Sequence, residues 1–225
     1  MKRARTRPGD GVGPTTPDSR PLVWPGSPEG VTAADVDFAA IAHVLAHTCR
    51  WGGRTRQFLS LAQHAVAVSE EVEGLDGVTD AERRTLALHG LLASAPAAWL
   101  GDAADPASTR AAERHRRHTA AVERAVREAA GLPADLPPEW ATLLGLVARM
   151  VDAAERRDLG VEATAAGVAF PPARRRVRPV APAKAARRWL ARFETLTAPP
   201  VDGAAVPETP SDRLDAIPEA IPDAA

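Results

Sequence analysis

The stretch Ile41–Val72, IAHVLAHTCRWGGRTRQFLSLAQHAVAVSEEV, decides the fold class, because its two ends have helical periodicity and its middle does not. Just upstream, Thr32-Ala-Ala-Asp35 has the spacing of a capping box, a hydroxyl at the N-cap and a carboxylate three residues on. It predicts a helix through about His47 with Val36, Ala40, Val44 and Leu45 inward. Downstream, Phe58 to Glu73 reads as a second amphipathic helix with Leu61, Ala65, Val68 and Val72 on one face. Between them, Cys49 to Gln57 carries Gly52, Gly53 and the arginines Arg50, Arg54 and Arg56, which marks a turn.

The same period continues outward. Thr79 caps a helix from Asp80 through about Leu92, and Pro96 then interrupts the pattern. Further helices are predicted over about Ser108–Ala130, ending at Gly131, and about Glu139–Leu159, ending at Gly160. The last, about Ala183–Leu196, carries Trp189, Leu190 and Phe193 at helical spacing. No segment alternates as a strand, so the expectation is an all-α bundle of about six main helices over residues 31–198. Residues 1–30 are rich in Pro, Gly, Thr and Arg and lack apolar periodicity. They read as a disordered or extended segment in which Leu22, Val23 and Trp24 are the residues suited to docking. Residues 199–225 read as a flexible, acidic, Pro-rich tail.

Composition narrows the function classes. Aromatic residues are only 4% of the 225 residues and Tyr is absent, while Ala is abundant, which favours close-packed helices over sheets. A formal net charge of -1 argues against wholesale binding to nucleic acid or membrane. Cys49 is the single cysteine, so no internal disulfide can form, which fits a reducing compartment. The basic start MKRARTRPGDG is followed by no apolar h-region, and no apolar run reaches the length of a membrane span. A cytoplasmic location is expected.

Several ordered motifs carry a resemblance. IAHVL, CRWGG, LAQH (Leu61–His64), LLASAPAAWLGD (Leu91–Asp102), ERRDL (Glu155–Leu159) and the closing WLARFETL follow one another at compatible spacing over about residues 31–198. In this the chain resembles the HD-domain metal-dependent phosphohydrolases, above all their bacterial and phage nucleotidase-like subgroup. The resemblance implies an HD-like helical bundle holding a divalent metal through a His, a His-Asp pair and a distant Asp. Imidazole and carboxylate lone pairs suit such an ion, and an open coordination position holds the water that attacks a phosphate ester. A nearby acid assists the leaving group.

Carried over residue by residue, the implied site comes apart. The first His matches His64, but the His-Asp pair falls on Ala93 and Ser94 and the distant Asp on Ala148. The acidic residue three after the pair falls on Ala97, while Asp102 is retained. A methyl group cannot coordinate a metal, and a lone imidazole cannot hold a divalent ion against water. The expectation is a phosphohydrolase-like pseudoenzyme with no metal cofactor. It would bind a nucleotide or another phosphate-bearing small molecule, or else a protein partner or a second copy of itself.

Two alternatives remain open on the sequence. One is an active metal-dependent phosphohydrolase or lyase with a rebuilt site of His64, His89, Asp102 and Asp152 around Mn, Co, Fe or Zn. His89 precedes Ala93, and Asp152 follows Ala148, by one helical turn, a displacement of about 5–6 Å. The bland reading makes His89 a partly buried helix histidine and Asp152 an exposed or salt-bridged carboxylate. The other alternative is a purely structural interaction module.

Arg50 and Arg54 are the candidate phosphate-binding residues. Guanidinium forks beside flexible backbone match phosphate oxygens, although the same arginines could instead pair with carboxylates and pin the turn. The resemblance places this turn beside the pocket, with Arg54 where the family often has a His. His43 and His47 lie one turn apart, a spacing that can bind zinc, but no Glu follows His43, so a structural role is favoured. His115 and His118, within ERHRRHTAAVER, read as part of a solvated helix face, and Cys49 reads as an ordinary buried thiol. The basic run Pro171–Pro179, with Lys184, Arg187 and Arg188, reads as a solvated loop or a dock for the acidic tail ahead of a nucleic-acid contact.

Overall fold

A computed structural model describes residues 27–101, 109–161 and 170–199, apart from the side chains at 109 and 110. Asp102, the segment with Leu22, Val23 and Trp24, and the acidic tail from 200 lie outside the described residues. The described chain is all-α: α1 (Phe38–His47), α2 (Leu61–Glu71), α3 (Asp80–Leu92), the single turn α4 (Ala97–Leu100), α5 (Thr109–Ala129), α6 (Pro138–Leu159) and α7 (Pro182–Thr197). The isolated bridge between Cys49 and Ser60 is the one extended pairing recorded among the described residues.

Helix α2 is the hub, packed against α1, α3, α6 and α7. Its expected inward residues Leu61, Ala65, Val68 and Val72 are all buried. Ser60 caps it by accepting from the Gln63 amide at 3.3 Å. Phe58 and Leu59, which the periodicity assigned to the helix, lie outside it, because Ser60 is held in the bridge to Cys49.

The start of α1 corrects a second expectation. The Thr32–Asp35 capping box forms, but it closes only the 3-10 turn Ala33–Asp35. Val36 then extends the chain, and Asp37 caps α1 by accepting from the amides of Ala39 and Ala40 at 2.9 and 3.1 Å. A capping box signals a first turn and cannot dictate that the turn continues. Helix α7 seals the core with Trp189, fully buried and stacked on Phe38 and Phe193 at 6.4 and 5.7 Å. Arg84 on α3 donates to the carbonyls of Leu196 and Thr195, both at 2.9 Å, so the open C-terminal carbonyls of α7 are satisfied by a cation.

Candidate functional site

The Arg/Gly turn adopts an unusual backbone. Trp51, Gly52 and Gly53 have φ values of 60, 59 and 76°, three left-handed residues in a row. Glycine does this without steric cost, whereas Trp51 is strained by about 1–3 kcal/mol. Contacts with α6 hold it there. The guanidinium groups of Arg50 and Arg156 lie over its ring at 4.6 and 4.7 Å. Its indole N–H donates to Glu155 Oε2 at 2.8 Å. The amide of Arg56 donates to the Leu159 carbonyl at 3.0 Å, tying the far end of the turn to the end of α6.

Asp152 and Glu155 are three residues apart on α6 and so share a face. That face meets His64 on α2. His64 Nδ1 lies 2.9 Å from Glu155 Oε1 and 3.7 Å from Asp152 Oδ1. Arg50 bonds Asp152 at 2.7 Å and approaches Glu155 to 3.7 Å. Burial pushes the Glu155 carboxyl up, but His64, Arg50 and the Trp51 N–H together outweigh it and hold it below the ordinary value. An ionised carboxylate only accepts, so His64 donates its Nδ1–H and leaves Nε2 as the available nitrogen.

One ligand atom from each of His64, Asp152 and Glu155 falls within 4.8 Å of the others, the single such group among the described residues. As paired, it does not fit a divalent ion. The near nitrogen of His64 carries a proton for Glu155, one Glu155 oxygen accepts from Trp51, and Asp152 is bonded to Arg50. A cation seated among these three atoms would have to displace the Arg50 contact and the Nδ1 proton, and Nε2 by itself supplies only one ligand.

His89, Arg50 and the positions of the lost ligands fall on two adjoining cavities. A cavity of about 220 Å³ is lined by Ala93, Ser94 and Ala97 together with Arg50, His64, His115 and Thr119. A second, of about 450 Å³, is lined by His64, His89, Ala93, Ser94 and Ala148 among others. His89 is therefore near His64 but is not one of the three-residue cluster. It is 5% exposed, and its ring lies edge-on to Trp140 at 6.2 Å. Burial, helped by the charge of Arg127, pushes its pKa down to about 4, so it is neutral near pH 7. Asp152 is salt-bridged, and Arg50 pairs with carboxylates. Arg54 is exposed and donates to the Trp51 carbonyl at 3.1 Å.

His115 departs from its expected solvated position. It and Thr119, one turn apart on α5, line the smaller cavity, and the Thr119 hydroxyl is buried without a hydrogen-bond partner among the described residues. His118 pairs with Glu29 at 2.8 Å. Periodicity did not single out Glu155, Trp51 or Thr119. The i, i+3 spacing of Asp152 and Glu155 was the available signal for the first. The basic loop is tied to the helices while Arg174, Arg175, Arg176 and Arg178 stay exposed, as a solvated loop would. Arg176 and the Val177 amide bond Asp158 at 2.6 and 2.8 Å, and Arg175 pairs with Glu70. Gln63 bonds the backbone of Arg178 and Val180. One nitrogen of His47 is taken by the His43 carbonyl at 2.8 Å. No helix among the described residues is long and apolar enough to cross a membrane. No family model matches this chain, and no curated protein is significantly similar to it.

Proposed function

We propose that the chain is an HD-like helical domain that does not perform metal-dependent phosphoester hydrolysis and instead binds a phosphate-bearing small molecule beside His64. The observation that carries this reading is the lining of the smaller cavity. Its polar side chains are Arg50, His64, Ser94, His115 and Thr119, and no carboxylate lines it among the described residues. Where the resemblance implies metal-binding and acidic groups, Ala93, Ser94 and Ala97 present methyls and one hydroxyl. Losing acceptors from a cation pocket leaves the donors in command. The buried Thr119 hydroxyl has no partner among the described residues, and a ligand oxygen would give it one. Arg50 shares its charge with Asp152, so recognition rests on short-range hydrogen bonds more than on net charge.

The test is the melting temperature in inorganic phosphate and in nucleoside monophosphates, against chloride at matched ionic strength. The wild-type chain should be stabilised with increasing ligand concentration. Thr119→Val should be as stable as wild type or slightly more stable without ligand, since it removes an orphan hydroxyl, and should lose most of the ligand-induced rise. No shift with any phosphate would overturn the reading and leave a structural interaction module. An unchanged shift in Thr119→Val would place the anion elsewhere.

A further inference from the structure

We infer that the ligand is a phosphomonoester with an uncharged, apolar body, its phosphate in the smaller cavity and its body in the larger one. This rests on the phosphate reading above and extends it to the rest of the molecule. The two cavities share His64, Ala93 and Ser94 and so abut at these side chains, where a ligand anchored in one would cross into the other. The larger space, about 450 Å³, lies within the range of roughly 300–1,000 Å³ common for small-molecule sites. Val68, Leu92, Val126 and Leu144 supply apolar walls, and the small residues Gly145 and Ala148 line it without filling it.

The charged pair on this lining is already committed. Glu123 and Arg127 bond each other at 2.7 Å, and Arg127 also donates to the Ala134 carbonyl at 2.8 Å. His89 is buried and uncharged near neutrality, so it offers no ionic anchor. A nucleobase would bring several donors and acceptors to a wall with few uncommitted partners, and each left unpaired would weaken binding. An alkyl or aryl body carries no such penalty.

Calorimetric titration of the full chain with inorganic, ethyl, butyl and hexyl phosphate, and with adenosine monophosphate, tests this. Affinity should rise by up to about fourfold for each methylene that enters the cavity. Hexyl phosphate should exceed adenosine monophosphate. Gly145→Leu should flatten the series while leaving inorganic phosphate binding intact. A Cβ built at Gly145 meets nothing within 4 Å, so the variant should fold, and Ala148→Phe provides an independent second block. Phosphate binding without any chain-length dependence overturns this inference alone, as does a preference for the nucleotide or a series unchanged by both blocking variants. If no phosphate compound binds, the phosphate reading falls as well.

Discussion

The α3–α4 corner and the C-terminal half of α6 both border His64, and they have opposite characters. At the corner, Leu91, Leu92, Ala95 and Trp99 are buried, while Ala93, Ser94 and Ala97 put only methyls and one hydroxyl toward the cavities. On α6, Asp152, Glu155 and Asp158 are all carboxylates, and each is bonded to a cation or an N–H donor of the chain. The difference shows that packing and polar roles separate cleanly. A buried carboxylate persists where the chain supplies its own compensating charge, because an uncompensated one would cost several kcal/mol. At the corner no such compensation is needed, and the positions are small and neutral.

The largest test of this contrast is Glu155→Ala. It leaves the His64 ring, the Trp51 N–H and part of Arg50 without their partner. The expected loss is about 3–5 kcal/mol in urea unfolding. Ser94→Ala, on the lining of the same two cavities as His64, should stay within about 0.5 kcal/mol. Comparable costs at the two positions would erase the distinction drawn between them.

Next in size is an acid effect from His89. Its folded pKa, about 4, lies below the ordinary 6.5, so the unfolded chain binds the extra proton first. Stability is therefore unaffected above about pH 6.5 and falls as pH drops toward 4, by about 3 kcal/mol in all. His89→Leu should remove most of that slope. Glu155 and Asp158 are shifted below their ordinary values, so their contribution is present above the usual carboxylate range and is lost only at lower pH. A slope between pH 6.5 and 5 that survives in His89→Leu would assign the acid sensitivity to other groups.

A smaller effect is expected for Trp51→Phe, which keeps an aromatic ring under Arg50 and Arg156 but deletes the N–H to Glu155. The loss of a hydrogen bond to a charged group predicts about 2 kcal/mol. A neutral outcome would mean that the strained turn is held by ring packing alone. Thr119→Val stands at the bottom of the scale, between no change and about 1 kcal/mol of added stability without ligand.

How much of this was legible in the sequence depends on range. The period of Leu61, Ala65, Val68 and Val72 placed the buried face of α2, because that signal is local and repeated. The Thr32–Asp35 box marked a real turn yet misplaced the start of α1, since the decisive cap, Asp37, lies just beyond it. Asp152 could be singled out from its register with Ala148, but its partner Arg50 and the His64–Glu155 contact join α6 to distant segments, the latter pair 91 residues apart. No local pattern encodes such pairs. Gly52-Gly53 announced a turn without indicating that Trp51 would share its left-handed backbone. The charged run around His115 concealed one helix face that turns toward the cavity.

The most direct measurement is the metal content of the pure full-length chain after expression with Mn, Co, Fe and Zn supplied. With the His64 proton committed to Glu155 and Asp152 bonded to Arg50, far less than one ion per chain should remain after desalting. One tightly held ion per chain, removed by EDTA together with a phosphatase activity, would contradict the account.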